Sequence, residues 1–308
     1  MSSTSPTVAS PPPKPRQHAA FSLFRVWTLA THTATQLLRM RILAFLAVFC
    51  LVALGAAFFF PQLSPEQQLM QLKDWSMGSM MVASIVFSIT ATALLLPKDL
   101  EDRTLYTILS KPVPRYEYLL GKLFGMLLLL FCGLLLMDLV LSLVLWLKQQ
   151  VLLSGMIAML EQQQAATPEN LAFVEASIKK YGLTSSVHVQ VWTVFLQASV
   201  VTALTLLIST FASTTLFTIV TSVAFTIAGF GVALMREWVL KGLYGWTEKT
   251  VGALLAILCP DLGMFNLTTE LTKGGVPLSV LGQLTGYAMM YVAAYMVVSH
   301  LFFVEKEL

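Results

Sequence analysis

The sequence predicts an all-α membrane protein: six transmembrane helices, an amphipathic interfacial helix ahead of the first, and a short amphipathic helix on the cytoplasmic side between the second and third. Three observations carry that expectation. The chain of 308 residues is 56% hydrophobic and only 11% charged, whereas about a quarter of the residues of a soluble domain are charged. Apolar runs of roughly 20 residues, the length that crosses a bilayer as a helix, recur along it. Lys and Arg gather before the first run and between the second and third, the asymmetry that marks cytoplasmic segments.

Residues 1–18, "MSSTSPTVASPPPKPRQH", are rich in Ser and Pro, cannot bury a core and read as a disordered tail. Residues 19–308 form one membrane domain. In "FSLFRVWTLATHTATQLLRMR" apolar residues are interleaved with basic and hydroxyl ones, which predicts a helix lying in the interface with Arg25, Arg39 and Arg41 facing phosphates. Span one is Ile42 to Phe60, closed by Pro61, and a polar segment leads to span two, Ser76 to Leu96. Span three, Tyr118 to Leu147, is roughly 45 Å long at about 1.5 Å per residue, so in hydrocarbon about 30 Å thick it must tilt or protrude.

A polar extracytoplasmic insertion follows over 148–186, where Thr167 (N-cap), Pro168 (first turn), Lys179 and Lys180 (last turn) and Gly182 (stop) mark a helix with Leu171, Val174, Ile178 and Tyr181 on its apolar face. Span four, Val187 to Phe211, and span five, Leu216 to Met235, are joined only by "ASTT", which predicts a tight antiparallel hairpin. Residues 236–279 contain "VGALLAILCP", too short to cross and read as a re-entrant or interfacial segment. Span six is Leu281 to Phe303. Six crossings and the basic bias put both termini in the cytoplasm.

The polar stretch at 97–117, continuing to Lys122 as "PKDLEDRTLYTILSKPVPRYEYLLGK", interrupts this apolar chain. Leu105, Ile108 and Leu109 fall on one helical face, and Pro112 and Pro114 end the helix. Asp99, Glu101 and Asp102 suit its positive end, Lys111 and Arg115 its negative one. Two or three turns cannot stand alone in water, because nucleation costs more than so few hydrogen bonds return. The helix needs a surface to lie on.

The stretch "EDRTLYTILSKPVPRYEYLLGK" resembles the signature of the ABC-2 type ABC transporter permease family: an acidic start, a Thr-Leu pair, an apolar pair, a Pro-x-x-Arg-like turn and a Gly-Lys. These places are held by Glu101, Thr104, Leu105, Ile108, Leu109, Pro112, Arg115, Gly121 and Lys122, with Arg103 where many members carry Gly. The likeness extends to the basic amphipathic helix, the six spans and the closing "FFVEKEL". It implies an ABC-2, type V exporter-like architecture in a bacterial cytoplasmic (inner) membrane, in which the stretch is a coupling helix docked in a groove of a cytoplasmic ABC ATPase subunit. On that reading Glu101, Asp102, Arg103, Thr104, Leu105, Ile108, Leu109, Pro112 and Arg115 make the ATPase contact. ATP and Mg stay on the ATPase, and a second permease subunit, identical or a sister chain, completes a dimer.

Catalytic motifs are missing from the sequence itself. Gly121-Lys122 is followed by Leu123 and lacks the upstream Gly of a P-loop, and neither HExxH nor GxSxG occurs. Cys50, Cys132 and Cys259 have no metal spacing, and a net charge of +3 does not point to nucleic acid. A non-catalytic membrane subunit without its own cofactor or metal is expected. Candidate path residues are Asp138, Gln190, Gln197, Tyr287, Tyr291 and Tyr295. Asp138 either faces the bundle interior or, because span three is overlong, sits near the outer interface and pairs locally. The tyrosines recur every fourth residue as a helix seam or a lateral gate for an amphiphile. Spans two and five are dense in Ser, Thr, Gly and Ala, which favours close helix packing, with a hydroxyl-lined path as the alternative. The alternative function is a non-transporting membrane anchor whose insertion recruits an extracytoplasmic partner.

Overall fold

The computed structural model describes residues 21–39, 48, 55, 63–101, 114–212, 214–240, 259–267 and 276–305. Every regular element among them is helical, and five helices are long and apolar enough to cross a membrane. The chain is an all-α, multi-pass integral membrane protein. The expected first span, the core of the polar stretch and most of the re-entrant segment lie outside the described residues.

Helix α1 is Leu23–Arg39 and α2 is Pro65–Glu101. The polar residues expected to lead into span two are the opening turns of α2 itself. Ser64 Oγ accepts from Gln67 N (3.4 Å) and Ser64 N donates to Gln67 Oε1 (3.4 Å), a reciprocal cap ahead of Pro65 at the first helical position.

Helix α3 runs from Arg115–Gln162 without a break. At about 1.5 Å per residue its 48 residues measure roughly 72 Å, against about 45 Å for a bilayer with its headgroups. Tilt alone would have to exceed about 50°, beyond the usual range, so α3 protrudes. The sequence places the change at Lys148, yet the Leu-, Met- and Gln-rich residues beyond it are good helix formers and continue the same rod.

Helix α4, Pro168–Tyr181, folds back on α3 and α2. Its ends are those expected: Thr167 Oγ1 accepts from Asn170 N, and Gly182 N donates to Ile178 O at 2.8 Å. Ile178 is buried, with Leu171, Val174 and Tyr181 half-buried beside it.

Helix α5, Ser185–Phe211, is the buried axis of the bundle, packed by α2, α3, the hairpin partner α6 (Thr215–Leu240) and α7 (Leu278–Glu305). Several of its hydroxyls bond within the helix: Ser199, Thr202 and Thr205 donate to the carbonyls of Phe195, Ala198 and Val201 at 2.7–2.8 Å. Back-bonding of this kind lets polar side chains occupy a dry interface. The pairs Asp138 with His188 and Phe131 with Phe195 set α3 antiparallel to α5, whereas Trp192 with Thr285 and Phe211 with Phe302 set α7 parallel to it.

Between α5, α6 and α7 lies Cys259–Leu267, with a 3-10 turn at Leu262–Phe265. Its backbone is pinned from two helices, since Gln197 Nε2 donates to Leu262 O (3.0 Å) and Asp261 N donates to Tyr287 Oη (2.8 Å). Gly229 of α6 admits it, because a Cβ there would stand 2.9 Å from Pro260 O. Non-helical backbone held inside a bundle needs such partners, as lipid offers none.

Candidate functional site

The polar stretch 97–117 leaves α2 at Glu101 and rejoins the described chain at Pro114. Where it rejoins, three elements meet: α1, the first turns of α3 and the end of α7. Glu117, in the first turn of α3, has no exposed surface, and both its oxygens are used. Oε2 accepts from Arg25 Nε (2.7 Å), while Oε1 accepts from Arg25 Nη2 (2.8 Å) and from Ser22 N (2.9 Å). A fork-on-fork pair of this kind fixes orientation as well as distance. The hydrogen bond to Glu117 also raises the pKa of the Arg25 guanidinium, which stays charged at every accessible pH.

This corrects one expectation. Arg25 faces a buried carboxylate of its own chain rather than lipid phosphates, because α1 is seated along α3 and not only on the membrane surface. Leu29 lies against Gly121, and Ala30 and Thr33 against Gly125. With Arg25 at Glu117, these contacts keep one register over successive turns, so the two helices run side by side in the same direction. Glycine is required here: a Cβ on Gly121 would overlap Leu29, and one on Gly125 would come within 2.5 Å of the Ala30 carbonyl oxygen. The other face of α1 stays exposed at Leu23, Phe24, Trp27 and Leu38, the apolar surface of a helix that meets lipid.

The end of α7 closes the junction. Arg115 Nη1 donates to Phe303 O (2.7 Å), and the Arg115 guanidinium lies 5.9 Å from the Phe303 ring centroid. Tyr118 stacks on Phe303 at 5.9 Å, and Tyr116 bridges Phe21 and His300. Lys122 is buried, donates to Gln36 Oε1 (3.3 Å) and lies 5.7 Å from the Tyr118 ring centroid.

Of the residues named for ATPase contact, Arg115 is thus part of the junction and Glu101 is the last residue of α2. Asp102, Arg103, Thr104, Leu105, Ile108, Leu109 and Pro112 lie outside the described residues. Sequence reasoning missed Glu117 as a site residue, since its partners stand 92 and 95 positions away. A signal for the packing is present in Gly121 and Gly125, small residues at helical spacing, of which the sequence reading uses only Gly121, in the Gly-Lys signature.

The candidate path residues fall into three places. Asp138, 8% exposed, bonds His188 Nδ1 through Oδ2 (2.7 Å), while its Oδ1 has no hydrogen-bond partner among the described residues. It pairs locally toward the end of the bundle that lies away from the junction. Gln197 and Tyr287 hold the inserted segment, and the tilted rings of Tyr287, Tyr291 and Tyr295 lie in series with centroids 4.9 and 5.8 Å apart. Gln190, the third place, lines a cavity among α2, α4 and α5. Among the described residues no three His, Cys, Asp or Glu side chains gather as a metal site would require.

Fold and junction together define a multi-pass, all-helical membrane protein whose helix α1 is joined along the foot of α3. No family model matches the chain, and no curated protein matches it either.

Proposed function

We propose that this chain is the membrane-spanning subunit of an ABC-2 type ATP-driven transporter, an exporter, coupled to a separate cytoplasmic ATPase subunit. The observation that supports it most is the buried Arg25–Glu117 pair with its glycine seam, which ties α1, α3 and the end of α7 together where the polar stretch re-enters the bundle. A helix pushed by a partner needs a stiff connection to the spans. Here the stretch is followed at once by residues locked to two other helices.

In this reading the apolar face of Leu105, Ile108 and Leu109 docks in a groove of the ATPase, with flanking charges fixing orientation. ATP and Mg bind to that partner. Its closure on ATP moves the stretch, the junction moves with it, and the bundle exchanges between two arrangements. The chain works as a dimer with itself or a sister chain, in a bacterial cytoplasmic membrane and with both termini cytoplasmic. The sixth crossing, Ile42 to Phe60, and the coupling helix belong to this proposal.

The test is purification of the tagged chain from its native membrane in mild detergent, beside Leu109→Asp. We expect an ATPase to accompany the wild type and to be lost from the variant, whose membrane domain elutes unchanged. No ATPase with either would sink the proposal. A specific observation favours one second reading: the overhang of α3 and its partner α4 present a helical surface beyond the bilayer, as an anchor recruiting an extracytoplasmic protein would. A stable partner that is not an ATPase would select it.

A further inference from the structure

At the end of the bundle away from the α1–α3–α7 junction, the start of α2, the end of α4 and the first turn of α5 enclose a cavity of about 100 Å³. The register of α3 against α5 sets its depth. Asp138 and its partner His188 mark the level of the cavity's inner edge, and Asp138 is 21 residues, or about 32 Å, beyond Glu117. If Glu117 stands at one membrane face, the cavity opens at the headgroup layer of the other.

Its chemistry is mixed. Met70, Met77 and Val187 are its apolar lining residues, with Lys73 and Asp74 between the two methionines on the same stripe of α2, and Lys180, Ser186 and Gln190 add polar groups from α4 and α5. Two ammonium groups and the positive end of α5 outweigh the one carboxylate. The Thr184 hydroxyl does not cap that end, since it donates to Gly182 O (3.1 Å) instead. Gln190 is only 4% exposed, and its Oε1 has no hydrogen-bond partner among the described residues. A buried acceptor left open is costly unless something donates to it.

We propose that this cavity binds a phosphate ester carrying a hydroxyl group, the chemistry of a glycerol phosphate headgroup. Lys73 and Lys180 hold the phosphate, the hydroxyl donates to Gln190 Oε1, and Met70 and Met77 receive the first methylenes of an acyl-bearing ligand. An anion alone would leave Gln190 open. A zwitterionic choline headgroup would bring no hydroxyl and place a second cation beside the lysines.

The experiment titrates the full-length chain, in maltoside micelles, with two probes by calorimetry: dihexanoyl phosphatidylglycerol and free glycerol 3-phosphate. The lipid is expected to bind saturably. Lys73→Gln with Lys180→Gln should weaken it at least about tenfold, as loss of charge-assisted bonds implies. Lys179→Gln, one residue from the cavity lining and equal in charge per substitution, should leave it unchanged, and Gln190→Leu should reduce the preference over dihexanoyl phosphatidylcholine. If glycerol 3-phosphate binds as tightly, the site serves a soluble phosphate ester; if it binds far more weakly, the source is the membrane. No saturable binding of either probe, or equal affinity in the double-lysine and Lys179 variants, would overturn the proposal.

Discussion

The two ends of the bundle are both joined through glycine, and they differ in what the glycine touches. At Gly125 the opposing atom is a backbone carbonyl oxygen of α1, whereas at Gly182 it is the tip of the Gln149 side chain. A backbone atom in a helix cannot step aside, but a glutamine can turn away. The first end also spends its charges on itself, in Arg25 with Glu117 and Lys122 with Gln36. Among the described residues the second leaves Gln190 Oε1 and Asp138 Oδ1 without hydrogen-bond partners, and the first leaves Ser299 Oγ and His300 Nδ1 so, which makes the glycine contacts the sharper difference. The glycine contacts make the first end the less yielding of the two, which is the difference that the proposed coupling would require.

The comparison can be broken most severely at Gly125. Gly125→Leu must separate α1 from α3, and overpacking of this kind typically costs about 1–3 kcal/mol or more. We expect the largest fall in thermal unfolding temperature in detergent, with α1 newly open to protease. Glu117→Gln keeps the shape and an acceptor for Ser22 N but turns an amide donor toward the guanidinium. Its fall should be smaller, and it should shrink further in high salt less than for a surface pair, because the carboxylate side is dry. Gly182→Ala should cost least, about 1 kcal/mol, since φ there is −73°, the Ile178 carbonyl oxygen would lie 3.0 Å from the new Cβ, and the Gln149 side chain can turn away at the cost of its bond from Leu183 N. A larger loss at Gly182 than at Gly125 would remove the distinction between the ends.

Much of the fold was legible because helix ends and membrane spans leave local marks. Thr167, Pro168 and Gly182 bounded α4 correctly, and the "ASTT" link joined α5 to α6 as a hairpin. Lys148 misled as a boundary, since a charge in a long helix signals the edge of the membrane rather than the end of the helix. The junction was hardly legible. Arg25 reads as a phosphate-facing residue of an amphipathic helix until α3 is laid beside it, and nothing local in Glu117 tells that its partners come from far earlier in the chain. Nothing local announces either that Gln197 and Tyr287, named as path residues, hold the backbone of an inserted turn.

On the proposed function, α1, the foot of α3 and the end of α7 move as one body when an ATPase partner binds ATP. This is tested most directly by spin-label distances in the purified complex, with and without ATP. Labels at Thr31 and Leu301 lie on exposed positions of α1 and α7, while a label at Phe217 reports α6, which packs on α2, α5 and the inserted turn. We expect ATP to change the Thr31 to Phe217 distance and to leave the Thr31 to Leu301 distance as it was. A shift between Thr31 and Leu301, or no shift in either pair, would contradict it.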